Sequence, residues 1–397
     1  MLIGIVGKPS SGKSTFFKAC TLAEVAIAPH PFTTIKPNHG VGFVKIPCPE
    51  KDFNVKCKPK FGYCLNANRF VPVDLLDVAG LVPGAHAGKG LGNAFLDDLR
   101  QADCLIHVVD ASGGTNENGE PVSDFSYDPC KDITFLEEEL DLWIFGLLKK
   151  DWHLLVRKAK VEKQNVVKLL AEKFSGLKIS EEHISLAIKK LNLPENIESW
   201  QDKELALLCK EIRKISKPII IAANKADVPE AYEKIQRMKE KFPDYIIIPC
   251  SAESELALKE AARHELISYI PGEKNFEIKN NSALTQEQKK ALEFIKNNVL
   301  EKYGNTGVQQ VLNTAVFEIL KYIAVFPVPN AKLQDKEGNI LPDCFLMPPD
   351  STALDLAYAI HSDIGNNFIK AIDIRTGKVI GRDYKLKHLD VVEIVTK

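Results

Sequence analysis

The apolar positions of the chain follow two periods. Residues 3–6, 104–110, 218–223 and 245–248 are short runs that are apolar on both faces. Such runs read as strands covered on both sides, the signature of a parallel sheet. Between them, apolar residues recur three and four apart. That spacing predicts helices at 15–19, 93–101, 134–150, 151–174, 180–191, 202–216, 229–242 and 253–269. Strands alternating with helices predict an α/β domain. Residues 41–46 alternate, and 69–76 form a more apolar strand. Together they predict a hairpin with residues 57–64 at its tip. Thr134 and Glu137 have capping-box spacing, which predicts a helix start at Thr134. Residues 271–283 are rich in Pro and Asn and read as a joint, followed by helices near 285–302 and 307–323. From Phe326 onward the pattern changes to short strands, turns and one short helix (353–361). The resulting division is an α/β domain at 1–115 and 217–272, an inserted helical domain at 116–216, a helical connector at 273–325 and a small β-rich domain at 326–397.

Composition adds bounds. The 397 residues are 45% hydrophobic and 26% charged, with a net charge of −1. This is an ordinary globular composition with no global pull toward nucleic acid or membrane. No run of 18 apolar residues is present, so no transmembrane helix is predicted. The first strand begins at residue 3, which argues against a signal peptide. Nine scattered cysteines suit a reducing, cytoplasmic compartment. Cys48, Cys57 and Cys64 cluster, but they lack a C-x₂-C spacing and a fourth ligand. They read as free thiols in a hairpin rather than as a zinc site. The segment around 151–174 is locally basic, with Lys149, Lys150, Arg157, Lys158, Lys160, Lys163, Lys168 and Lys173. A solvated face is the simpler reading of it, and an RNA-contacting face the alternative.

The first strand leads directly into Gly7-Lys8-Pro9-Ser10-Ser11-Gly12-Lys13-Ser14, followed by Thr15 and a helix. Strand, G-x-x-x-x-G-K-[ST], helix is the phosphate-binding loop in its expected context. The glycines let the backbone approach phosphate, and the loop N–H groups and helix N-terminus face negative charge. Lys13 is expected to reach the β/γ-phosphates and the Ser14 hydroxyl to bind Mg²⁺. Asp77 and Gly80, just after a strand, supply a second phosphate sensor, with Asp77 on Mg²⁺ through water and the Gly80 N–H on the γ-phosphate. Thr34, in a proline-rich loop, is the candidate switch-loop Mg²⁺ ligand. Asn224-Lys225-Ala226-Asp227 follows another apolar strand and reads as the base-recognition loop. A carboxylate at Asp227 accepts from guanine N1–H and its 2-amino group together. Adenine offers no such pair, so the motif predicts GTP over ATP. Lys225 would lie along the base plane, and Ser251-Ala252 would present the Ala252 N–H to guanine O6.

These residues carry a family resemblance. With residues 7–14, Pro31-Phe32-Thr33-Thr34, the glycine-rich stretch 77–92 and residues 224–227, the chain resembles the Obg-type GTPases. It looks closest to the YchF branch, in an archaeal style. The region from 326 on resembles a TGS domain, a β-grasp module. The resemblance implies a P-loop NTPase fold with a mainly parallel sheet, an inserted helical domain and a C-terminal β-grasp domain. It further implies a Mg²⁺-dependent GTPase switch that works with ribosomes or RNA, without a membrane, as a monomer.

The departures are informative. Proteins of the YchF branch that favour ATP lack the base-reading Asp, which is present here as Asp227. Ser10 stands where many such GTPases carry an Asn that helps bind K⁺, so potassium dependence does not carry over. His30 replaces the usual Tyr. Leu81 follows Gly80 where many small GTPases carry a water-orienting Gln, so slow intrinsic hydrolysis is expected. His107 matches a histidine proposed as catalytic in the YchF branch, and His86 is a second candidate. Two alternatives stand beside the switch: an ATPase of the YchF type, and a ribosome- or RNA-binding adaptor with little hydrolysis.

Overall fold

The computed structural model describes residues 1–22, 38–78 and 98–397. Among the sequence candidates, His30, Thr34, Gly80, Leu81 and His86 lie outside the described residues. The described chain groups into two compact units. One holds residues 1–18, 38–40, 74–78 and 98–254, and the other 19–22, 41–73 and 255–397.

The first unit is built on parallel strands. β1 (Leu2–Val6) lies between β4 (Asn68–Asp77) and β5 (Cys104–Asp110), β6 (Ile219–Asn224) follows β5, and β7 (Ile247–Pro249) follows β6. Each of these neighbours pairs in parallel. β5 and β6 are buried along their whole length, which is why their sequences are apolar on both faces. The sheet order continues outward from β4 to β2 (His39–Pro47), and β3 (Tyr63–Leu65) pairs antiparallel with the start of β4. Helix α1 (Lys13–Thr21) follows β1, α7 (Ala231–Lys241) precedes β7 and α8 (Ala252–Arg263) follows it.

Between β5 and β6 the chain forms α2 (Cys130–Lys150), α3 (Trp152–Val161), α4 (Val166–Phe174), α5 (Glu181–Leu191) and α6 (Asp202–Ser216). Their apolar faces join one core with Val6, Leu76, Leu99, Leu105 and Ile219 of the sheet region. Two expectations change here. α2 starts at Cys130, not Thr134. Pro129 and the Asp128 carboxylate, which accepts from the Cys130 N–H at 3.1 Å, set the start. Thr134 sits inside the helix and donates back to the Cys130 carbonyl at 3.2 Å. The segment 151–174 is two helices, because Asn165 caps α4 by accepting from the N–H groups of Val167 and Lys168. Part of its basic character is neutralised internally: Lys149 pairs with Asp202, Lys160 with Glu198 and Lys173 with Asp151.

In the second unit, the helix expected to reach residue 269 ends at Arg263. β8 (Ile267–Tyr269) and β9 (Phe276–Ile278) form a small antiparallel hairpin instead. Ile267 and Tyr269 are buried, and the period-2 signal they carry is too short to stand out from the helix before it. α9 (Gln286–Ile295) is capped by Thr285 and Gln288, and α10 (Val308–Asn313) follows. Side-chain amides of α10 bond the backbone of β2. Asn313 accepts from the Lys45 N–H at 2.9 Å and donates to its carbonyl at 2.6 Å, and Gln309 donates to the Phe43 carbonyl at 2.8 Å. The C-terminal part is a five-stranded sheet. Parallel strands β10 (Ile323–Val328) and β14 (Val391–Thr396) are flanked by β11 (Phe345–Met347), β12 (Phe368–Asp373) and β13 (Val379–Ile380). Ala353 and Leu356, on α11 (Ala353–Ile360), share its core.

The helical insertion is locked by one buried cation. Arg213 on α6 is 1% exposed and donates to Asp141 at 2.8 Å, to Glu137 at 3.0 Å and to the Tyr245 hydroxyl at 3.2 Å. Arg213→Ala strands two partly buried carboxylates. It should lower the stability of the folded chain by about 3 kcal/mol, read as a lower urea midpoint by circular dichroism.

Candidate nucleotide-binding site

The strand carboxyl ends converge on one region, where α/β sheets place ligands. Residues 7–12 leave β1, Asp77 ends β4, Asp110 ends β5, Asn224 ends β6 and Ser251-Ala252 follows β7.

The loop after β1 is shaped by its glycines. A Cβ on Gly7 would lie 2.6 Å from the Val108 carbonyl oxygen. Gly12 has φ +87°, and a Cβ there would fall 2.2 Å from the Asn224 amide nitrogen. Only glycine fits both the conformation and the space. Asn224, 3% exposed, donates to the Ser11 carbonyl at 3.0 Å and accepts from the Ala252 N–H at 3.0 Å. One side chain thus ties the phosphate loop, the end of β6 and the start of α8. The Ser251 hydroxyl caps that helix, donating to the Ser254 hydroxyl and accepting from its N–H.

Gly12, Thr15, Asn224, Lys225, Asp227 and Glu253 line a cavity of about 250 Å³. Asp227 is half-buried in that wall, and among the described residues no group donates to its carboxylate. Lys225, at φ +61°, instead pairs with Asp110 at 2.8 Å. Asp110 is fully buried and also accepts from Ser112 and Thr115. Burial works to raise its pKa, but hydrogen bonds from Lys225, Ser112 and Thr115 outweigh it and hold the carboxyl below the usual range. Asp110 escaped the sequence reading. Its signal was an Asp at the end of an all-apolar strand, with Ser112 and Thr115 following as hydrogen-bond donors.

Lys13 is ion-paired with Asp77, so the expected phosphate-binding cation and the expected Mg²⁺-binding carboxylate meet each other directly. Ser14 is exposed at the start of α1, and Thr15 borders the cavity. Ser11 is buried, and among the described residues its hydroxyl has no hydrogen-bond partner. That orphaned hydroxyl and the glycine cradle fit a phosphate group, and Ser14 with Asp77 forms the oxygen donor set Mg²⁺ prefers. Pro9 and Ser10 are exposed, and Ser10 takes the left-handed conformation at φ +60°. The Lys8 side chain is committed elsewhere, to Asp132 at 2.9 Å, the Thr115 carbonyl at 2.8 Å and the Tyr127 ring at 4.0 Å. Only its backbone remains for a ligand.

His107 occupies the middle of β5 and is 2% exposed. Burial, reinforced by the Lys8 charge, lowers its pKa from 6.5 to about 3, so the imidazole is neutral near pH 7.

A glycine cradle stapled to an N-K-x-D loop at the ends of parallel strands defines a guanine-nucleotide-binding P-loop protein. Family models agree along the chain. Residues 2–137 match the 50S ribosome-binding GTPase model, 222–330 the Obg-like GTPase YGR210-like, G4 motif-containing domain, and 323–396 the TGS domain. An uncharacterized GTP-binding protein of Methanocaldococcus jannaschii is 49% identical over 396 residues, covering 100% of this chain and 99% of the relative. The crystal structure of a GTP-binding protein from Pyrococcus horikoshii OT3 is 40% identical, with TM-score 0.79 and 100% of both chains covered. The ribosome-binding ATPase YchF of Buchnera aphidicola is 27% identical over 380 residues, covering 93% of this chain and 86% of the relative. The chain belongs to the YchF-like branch of the Obg-type GTPases.

The His107 environment makes a pH prediction. A histidine whose folded pKa is depressed contributes full stability above its unfolded pKa of about 6.5. That contribution is lost as pH falls toward about 3, because only the unfolded chain takes the proton. His107→Gln should therefore flatten the fall in urea-unfolding free energy between about pH 6.5 and 4 by up to one proton.

Proposed function

We propose that the protein hydrolyses GTP to GDP and phosphate in a Mg²⁺-dependent cycle, and that the cycle switches its association with ribosomes or RNA. The observation that carries guanine selection is Asp227, in the cavity wall with no donor among the described residues. Guanine N1–H and the 2-amino group supply the two hydrogens it lacks. ATP would leave the carboxylate unpaired against a ring acceptor, a loss that binding elsewhere does not offset.

The Lys13–Asp77 pair gives the site its entry step. An incoming triphosphate offers Lys13 a more highly charged partner than one carboxylate, so Lys13 transfers to the phosphates and Asp77 is freed. Ser14, Asp77 and Thr34 would hold Mg²⁺, which when bound neutralises charge on the β- and γ-phosphoryl oxygens. The backbone N–H groups of the loop at 7–15, other than Pro9, and of Gly80 bind phosphate oxygens, and the Ser11 hydroxyl gains a partner. Lys225 and Asn224 keep the base loop fixed, and Ser251 and Ala252 hold the third loop against it. Lys13, Thr34 and Gly80 act on the transferred phosphoryl group, as their motif positions suggest. A buried imidazole with pKa about 3 is too weak a base for proton transfer near neutrality. His107 is therefore read as a positioning group behind the phosphate loop. With Leu81 following Gly80, intrinsic turnover is slow.

The ribosome is the proposed partner because one relative is named as a ribosome-binding protein and residues 323–396 match a TGS domain. That relative is also named as an ATPase, so nucleotide choice is the first test. Asp227→Asn should weaken GTP binding at least about a hundredfold in competition with a fluorescent GTP analogue, without a gain for ATP. Equal competition by ATP and GTP in the unmodified protein would overturn guanine selection. His107→Ala should slow single-turnover hydrolysis about tenfold with GTP affinity kept. Unchanged turnover would remove His107 from the mechanism. The switch is tested by sedimentation with ribosomes, loaded with GDP or a non-hydrolysable GTP analogue. Equal pelleting in both states would favour an adaptor over a switch.

A further inference from the structure

Three thiols and a carboxylate converge in the second unit, between β2 and β4. The Cys48, Cys57 and Cys64 sulfurs and a Glu50 carboxylate oxygen all lie within 4.8 Å of one another. Cys48 and Cys57 Sγ are 3.5 Å apart, and no disulfide joins any of the three. We propose that Cys48, Cys57, Cys64 and Glu50 form a structural Zn²⁺ site.

The separations admit a tetrahedral shell of four ligands. Zinc–sulfur bonds of about 2.3 Å place ligand sulfurs about 3.8 Å apart, inside the separations observed. The donor set also selects the metal. Soft thiolates exclude Mg²⁺ and Ca²⁺, and a single hard carboxylate among them suits zinc better than copper(I) or a four-cysteine iron–sulfur cluster. Four protein ligands close the shell, which makes the site structural and leaves no open position for catalysis. On binding, the three thiols each release a proton to solvent. One of the two negative charges left over is offset by the fully buried Arg69 guanidinium, whose charge acts on the Cys48 sulfur.

The surrounding chain presents these ligands and is otherwise held by polar contacts: the Lys58 and Lys60 N–H groups donate to the Ile340 and Pro342 carbonyls at 2.8 and 2.9 Å, and Asp52 pairs with Arg375 at 2.8 Å. Glu50 sits in a short 3₁₀ turn, Pro49–Lys51. Glu50 Oε2 accepts from the Cys57 N–H at 2.9 Å, which orients the carboxylate. The Cys48 N–H donates to the Ala67 carbonyl at 2.8 Å, and the Val55 N–H to the Glu50 carbonyl at 3.0 Å. Asn54, Gly62, Asn66 and Ala67 adopt positive φ to turn the chain back on itself. Residues 50–62 place no apolar side chain in the core. A segment of this kind, without a core of its own, is where a metal cross-link contributes most. The spacing of the three cysteines, with no close C-x₂-C pair, hid the site in the sequence. Glu50, two residues after Cys48, is the ligand that spacing alone did not supply.

The full-length protein, expressed in zinc-supplemented medium and purified without chelator, should carry stoichiometric zinc by inductively coupled plasma mass spectrometry. Substitution by Co²⁺ should give the intense visible d–d bands of a tetrahedral site and a near-ultraviolet thiolate charge-transfer band. That readout needs no variant and is independent of nucleotide turnover. Cys57→Ser and Cys64→Ser should each lower zinc affinity at least about tenfold in competition with a chromogenic chelator, as should Glu50→Gln. Cys344→Ser, outside the cluster, should retain the metal. Absence of zinc with all three thiols free to a thiol reagent would overturn the proposal. So would loss of metal from Cys344→Ser with retention in Glu50→Gln, which would overturn the ligand set.

Discussion

The nucleotide site depends on one buried amide. Asn224 has a single side-chain carbonyl and a single NH₂, and it places them on the Ala252 N–H and the Ser11 carbonyl. Three loops that arrive from separate strands are thereby set in one register. The space beside it is so tight that residue 12 must be glycine. Buried polar groups of this kind are costly to leave unpaired, so the arrangement is close to all-or-none. The surrounding charges follow the same logic. Asp110 fixes Lys225, Asp132 fixes Lys8 and Asp77 holds Lys13, so cations near the phosphate loop are partnered. Among the described residues, what remains open is the orphaned Ser11 hydroxyl and the Asp227 carboxylate.

How much of this was legible in the sequence depends on how local each cause is. The strands 104–110 and 219–224 were visible because full burial favours runs of apolar residues, which Cys104–Ile106, Val108–Val109 and Ile219–Ala223 supply. The phosphate loop and the N-K-x-D loop were visible because their chemistry is carried by residues next to one another. The staple between them was not, since Asn224 and Ser11 are 213 residues apart and spacing says nothing about which oxygen meets which nitrogen. The start of α2 was misplaced because Thr134 and Glu137 have capping-box spacing, while Pro129 and Asp128 set the start one turn earlier. The break before α4 was missed because a single Asn in a lysine-rich run looks like surface until its carbonyl oxygen is seen on two backbone N–H groups. Burial of His107 was likewise not legible in the sequence: only the folded sheet shows the imidazole desolvated near the Lys8 charge, which holds it neutral near pH 7.

The same contrast separates two kinds of cysteine. Cys20, Cys104 and Cys209 are buried singly in apolar surroundings, where desolvation raises their pKa and makes them inert packing groups. Cys48, Cys57 and Cys64 are gathered at one place, Cys48 buried and the other two half-buried, with a carboxylate among them. Residue type is identical in the two groups, and only convergence distinguishes them.

The amides of Gln309 and Asn313 have a consequence beyond local stability. β2 is the outermost strand in the sheet order, and an outer strand normally shows a row of unused backbone donors and acceptors. Here the Phe43 carbonyl and both Lys45 backbone groups are already taken by side chains of α10. The helix imitates the hydrogen bonds of a further strand without supplying one. A second copy of the chain then finds no template along that stretch, so the sheet is terminated and protected from edge-to-edge polymerisation at high concentration or during folding.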